Sequence, residues 1–164
     1  MFLLWIRGII FTILVPGTVA GYIPYLFRRN NLPDRDIGIF HWAGLFIFII
    51  GILIYLWTVT SFLLRGKGTP AIWFTKTISF IIGEEPMKMV SSGLYKYTRN
   101  PMYIGVVTTV IGQGLFFQSS NVLWYALSLF IIFNIVVKLI EEPHLEEKFG
   151  DEYRNYKKKT RRWL

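Results

Sequence analysis

Two short stretches carry polar side chains of the kinds that bind or transform a ligand: GLYKYTRNPMYIG (93–105) and EEPHLEEKFGDEY (141–153). In the first, Arg99, Asn100 and Pro101 stand side by side among Tyr95, Tyr97 and Tyr103, just ahead of an apolar run that includes Gly105. In the second, Glu141 and Glu142 follow the end of another apolar run. Ionisable groups at membrane depth are costly and usually have a partner or a function, and these stand at the membrane edge. A guanidinium and two carboxylates placed this way can fix helix ends as an interfacial salt bridge, or they can hold a charged ligand. Spacing alone leaves both readings open. Metal chemistry has less support. Glu141 and His144 have the i, i+3 spacing of a carboxylate–histidine half-site, but His41, the other histidine, has no acidic partner in helical register after it. His144 is therefore expected at the surface, and no metal is expected. The absence of cysteine removes disulfides, thiolate metal sites and thiol nucleophiles. No Ser–His–Asp arrangement is evident, and RGKGTPA (65–71) lacks the spacing of a phosphate-binding loop.

The elements that must position these residues are blocks of apolar sequence. Of the 164 residues, 53% are hydrophobic. They cluster in Phe2–Tyr22, Ile37–Leu64, Met102–Phe117 and Val122–Val137. A helix needs about 20 residues to cross a bilayer, with roughly 17–25 tolerated. The first two blocks meet this outright, and the other two do so with uncharged neighbours. The expected fold is therefore an all-α integral membrane protein with about four transmembrane helices. The first block lacks the small-x-small cleavage site of a signal peptide and is read as a mature helix, bent or ended by Pro16 and Pro24. Its GTVAG (17–21) has small-xxx-small spacing, read as packing inside the bundle. NNLPDRD (30–36) and QSSN (118–121) are read as turns that make antiparallel pairs. IWFTKTISFII (72–82) is too short to span and is read as interfacial or re-entrant. After the fourth block, Leu145, Phe149, Tyr153 and Tyr156 share one side of an amphipathic helix, expected along the cytoplasmic membrane surface. The chain reads as one structural domain: an N-terminal helix pair (1–64), then a region bearing both polar stretches (65–164).

The formal net charge of +8 follows topology rather than nucleic-acid binding. Lysines and arginines gather between the second and third spans and after the fourth, on one face together with the N-terminus. Positive charge favours cytoplasmic loops, so that face is expected to be cytoplasmic, with the basic tail near anionic lipid headgroups.

Taken together, GLYKYTRNPMYIG, the hydrophobic hairpin, the EE pair and L-x-x-x-FG-x-x-Y-x-x-Y resemble the isoprenylcysteine carboxyl methyltransferase family and its phospholipid methyltransferase relatives. GKGTPA (66–71) and the closing RRWL are similar to bacterial members. The resemblance covers about residues 65 to 164. It implies an integral membrane methyltransferase that uses S-adenosyl-L-methionine and a lipophilic or lipidated acceptor. It places Arg99, Asn100, Pro101, Tyr103, Gly105, Glu141 and Glu142 around the cofactor. Arg99 would pair with the cofactor carboxylate at a helix N-terminus, where the dipole favours an anion. Glu141 or Glu142 would take the ammonium or the ribose hydroxyls. Tyr95, Tyr97 and Tyr103 would offer aromatic faces to sulfonium or adenine. Gly105 would permit close approach, and Pro101 suits a helix start. Arg99 and Glu142 are the candidate catalytic residues, with Glu142 the base for an ammonium acceptor. Asparagine at 100 departs from the histidine of the best-known eukaryotic members, which puts an imidazole acid–base role in doubt. Two other readings stand beside this one. One is an NADPH-dependent membrane reductase of the sterol reductase type. The other is a non-catalytic membrane scaffold.

Overall fold

The computed structural model describes residues 2–29, 36–66, 68 and 86–163. The 72–82 segment, residues 30–35 of the first turn and most of 65–71 lie outside them. The described residues form helices and turns, with one isolated bridge between Thr98 and Arg161. We number the helices α1 (Phe2–Arg29), α2 (Gly38–Gly66), α3 (Pro101–Phe116), α4 (Ser120–Phe149) and α5 (Asp151–Lys159). Helices α1, α2 and α4 are long and apolar enough to cross a membrane. The 16 residues of α3 make about 24 Å of helix, short of the ~30 Å hydrocarbon core. Large apolar side chains such as Trp42, Phe46, Leu53, Trp124 and Leu139 point outward, as expected where the surrounding solvent is lipid.

Helix α1 does not end at either proline. It runs to Arg29 with a π-helical stretch at Thr18–Tyr22 between them. Pro24 has no N–H to give the carbonyl of Ala20, and in the π turn Ile23 N–H bonds Thr18 rather than Val19. Unpaired carbonyls are expensive in hydrocarbon. Neighbouring helices supply the missing donors: Gln113 Nε2 bonds Ala20 O at 2.6 Å, and Tyr125 Oη bonds Val19 O at 2.9 Å. Pro24 and the π turn before it thus bind α1 to α3 and α4, and neither proline stops the helix. GTVAG does pack within the bundle, but through Val19 and Ala20. A methyl group added at Gly21 would meet nothing within 4 Å.

The close helix seam lies elsewhere. Gly44 and Gly51 of α2 face Gly112 and Gly105 of α3 in antiparallel order. A Cβ on Gly44 would sit 2.8 Å from Gly112 O, and one on Gly105 2.8 Å from Tyr55 N. Both helices carry glycines seven apart, two helical turns, so the backbones touch along one line. Around the seam, Tyr55, Val59, Leu63 and Val106 form one apolar cluster, and Val107, Val110, Val122, Ala126 and Leu129 another. Helices α3 and α4 form the expected hairpin. Its turn is tighter than QSSN, because α4 already begins at Ser120.

Helix α4 continues past its apolar block through a π turn at Val137–Glu141. As in α1, this turn ends two residues before a proline, here Pro143. The chain then breaks at Gly150, whose φ of 54° suits glycine. The break divides the expected amphipathic tail helix into two segments. Helix α5 folds back, and Leu145, Phe149, Tyr153 and Tyr156 all line a cavity inside the protein.

Candidate active site

Pro101 occupies the first turn of α3, where its missing N–H costs nothing. Asn100 stands at the cap position but makes no side-chain cap bond. Its Nδ2 donates instead to Arg162 O at 3.0 Å. The helix therefore opens onto the cavity with its positive end uncapped by that side chain. Arg99, immediately before it, is 9% exposed.

The π turn in α4 brings Glu141 and Glu142 to the same place, 8% and 4% exposed. Tyr103 Oη donates to Glu141 Oε1. Glu142 has several partners. Arg162 Nε and Nη2 donate to Oε1 and Oε2 at 2.7 and 3.0 Å, and Lys157 Nζ lies 3.6 Å from Oε2. Arg99 Nη1 is 3.2 Å from Oε1. Even so, neither Arg99 Nε nor Nη1 has a hydrogen-bond partner among the described residues. An unsatisfied buried guanidinium edge is unusual.

Tyrosines close the cavity. Tyr95 is buried edge-on to Phe62 at 5.5 Å, and its carbonyl accepts from Tyr156 Oη at 2.7 Å. Burial pushes the Tyr95 hydroxyl well above its ordinary value. Burial pushes Tyr153 up to about 12, with Glu142 adding to the shift and the adjacent Arg99 opposing it. These hydroxyls therefore stay neutral in the cavity wall. The cavity holds about 120 Å3. Its wall includes Tyr95, Arg99, Asn100, Tyr103, Glu141 and Glu142, so the hairpin brings the two polar stretches together.

Three expected residues, Tyr97, Pro101 and Gly105, are not in that wall, Pro101 being the buried first residue of α3. Tyr97 is 73% exposed and does not line the cavity. Gly105 serves the α2–α3 seam, where the close approach is by the backbone of Tyr55. His144, expected at the surface, is half-buried in the cavity wall.

A match to the phospholipid methyltransferase family spans residues 39–152. The chain belongs to that family. Membership implies methyl transfer at a membrane, and the match takes in the first polar stretch and all but Tyr153 of the second. An uncharacterized protein of Haemophilus influenzae is 41% identical over 64 residues, which is 38% of this chain and the whole of that protein. No solved structure matches.

For this phospholipid methyltransferase family member, sequence reasoning passed over Thr98, Tyr153, Tyr156 and Arg162 as parts of the site. Tyr153 and Tyr156 were visible as one side of a helix, and only the direction in which that side faces was missed. Thr98 and Arg162 meet across 64 residues of chain, through a Thr98 Oγ1 bond to Arg162 O at 3.0 Å. No local pattern announces such a contact.

Proposed function

We propose that the protein transfers a methyl group from S-adenosyl-L-methionine to a lipophilic acceptor at the cytoplasmic face of a membrane. The observation that carries this reading is the buried Arg99 guanidinium, with two unsatisfied donor atoms in a tyrosine-walled cavity beside two carboxylates. The donor set suits the cofactor: a guanidinium and a helix N-terminus for its carboxylate, acidic oxygens for its ammonium or ribose, and neutral rings for its sulfonium. The cavity is smaller than the roughly 300–1,000 Å3 of a typical small-molecule site, so the ligand would seat its charged end there and extend past the rim. When bound, the cofactor supplies an electrophilic methyl group.

The protein's share of the reaction is mainly positioning. Arg99 fixes the anionic end. Tyr103 orients Glu141 through its hydroxyl. Glu142, with its oxygens taken by Arg162 and approached by Lys157 and Arg99, organises these cations rather than serving as a base. Glu141 is the better placed carboxylate to accept a proton from an ammonium acceptor, whereas a carboxylate acceptor needs no base. A lipophilic acceptor is supported by a groove between α3 and α4 lined by Ile104, Val107, Ile111, Leu127, Phe130 and others. Tyr103 also lines this groove, so one ring separates it from the polar cavity.

The test is calorimetric titration of the detergent-purified protein with S-adenosylhomocysteine. Wild type is expected to bind saturably, and Arg99→Ala to lose about tenfold or more in affinity, the worth of a charge-assisted pair. Labelled methyl donor with lipid extracts then identifies the acceptor. Binding of NADPH in place of S-adenosylhomocysteine would establish the reductase reading, and binding of neither would favour a scaffold.

A further inference from the structure

The segment Thr160–Trp163 lies across the site as a strap held at both ends. Arg99 N donates to Arg161 O at 2.9 Å, Thr98 Oγ1 and Asn100 Nδ2 each donate to Arg162 O at 3.0 Å, and Trp163 Nε1 donates to Asn134 Oδ1 at 3.2 Å. None of these bonds uses the Arg162 side chain. That side chain turns inward and takes both oxygens of Glu142.

Two arginines thus compete for one carboxylate. Arg162 has the two-point geometry, in which a guanidinium and a carboxylate match best. Arg99 is within 3.2 Å of the same group, yet its Nε and Nη1 make no hydrogen bond among the described residues. The less buried arginine is satisfied, and the more buried one is held back.

We propose that Arg162 is a positioning residue: by taking both oxygens of Glu142, it limits Arg99 to a single 3.2 Å ion-pair contact and leaves guanidinium donors for the carboxylate of the ligand. This rests on reading the cavity as the S-adenosylmethionine site. Without the Arg162 side chain, Glu142 takes Arg99 into a two-point pair of its own. The donors that the ligand needs are then spent inside the protein. The strap itself stays in place, since its anchors are main-chain atoms and Trp163.

The experiment compares two ligands by calorimetry on wild type and Arg162→Gln. S-adenosylhomocysteine carries the amino-acid carboxylate. Methylthioadenosine shares the adenine, ribose and thioether but lacks it. Arg162→Gln is expected to weaken S-adenosylhomocysteine about tenfold or more and to leave methylthioadenosine within about twofold. The double variant Arg162→Gln, Glu142→Gln is expected to recover part of the loss, because an amide no longer captures Arg99. An equal loss for both ligands would mean general damage to the pocket and would overturn the proposal, as would no loss at all. Folded wild type that binds neither ligand would overturn the cofactor assignment itself, and this inference with it.

Discussion

Tyr103 faces two environments at once. Its hydroxyl donates to Glu141 in the polar cavity, while its ring packs 4.5 Å from Phe133 and walls the apolar groove. Removing only the hydroxyl separates these functions. In Tyr103→Phe the ring remains, but a carboxylate 8% exposed loses its donor. A hydrogen bond to a charged group is worth about 1.5–3 kcal/mol, so a lower thermal midpoint in detergent is expected. Turnover with labelled methyl donor should fall about tenfold or more, because Glu141 then has nothing to aim it. A destabilised variant with wild-type turnover per folded molecule would remove Glu141 from the chemistry. At this scale the sequence was informative about residue type and less so about role. The adjacent acids looked equivalent as EE, yet the structure gives Glu141 a hydroxyl and Glu142 two guanidinium groups and an ammonium. That difference is set by partners 20 and 38 residues away, which no spacing rule reaches.

Helices proved easy to locate and hard to orient. Apolar blocks reveal spans because hydrocarbon demands them, but inside a uniformly apolar helix nothing in hydropathy distinguishes the packed side from the lipid side. GTVAG drew attention by its spacing, while the true seam uses glycines seven apart in each of two helices. The contrast can be tested. A Cβ on Gly51 would come within 2.8 Å of Thr109 Cα, backbone that cannot swing aside. Gly51→Ala is therefore expected to destabilise by about 1–3 kcal/mol, the usual cost of overpacking. Gly21→Ala, with open space around it, is expected to be neutral or to stabilise by about 0.5–1 kcal/mol, since alanine loses less backbone freedom in a helix. Thermal unfolding in one detergent compares the pair. The reverse order would mean that α2 and α3 do not meet along this line. The tail illustrates the same difficulty in another way. Its apolar side was legible, but the turn at Gly150 that aims it inward depends on a single positive φ.

The whole molecule concentrates its charge and its chemistry at one end. Arg99, Glu141, Glu142, α5 and the strap lie together there, with Arg65 beside Ser92 at the exit of α2. The opposite end carries Asp36, the start of α2 and the tight α3–α4 turn. If positive charge sets orientation, the site faces the cytoplasm. On the proposed reading the cofactor would enter from that side, and the lipophilic acceptor would enter by the groove between α3 and α4. The lack of cysteine in the chain makes this measurable without removing any native thiol. A single cysteine at exposed Lys158 is expected to react with a membrane-impermeant maleimide only in inverted vesicles or after permeabilisation. One at exposed Asp36 should react from outside in intact cells. The two positions bracket the membrane, so they must label from opposite sides if the helices cross it as drawn. Labelling of both from one side would contradict the bundle. The opposite pattern, with Lys158→Cys labelled from outside, would leave the bundle intact but place the cavity away from any cytoplasmic methyl donor, and the methyltransferase reading would lose its cofactor supply.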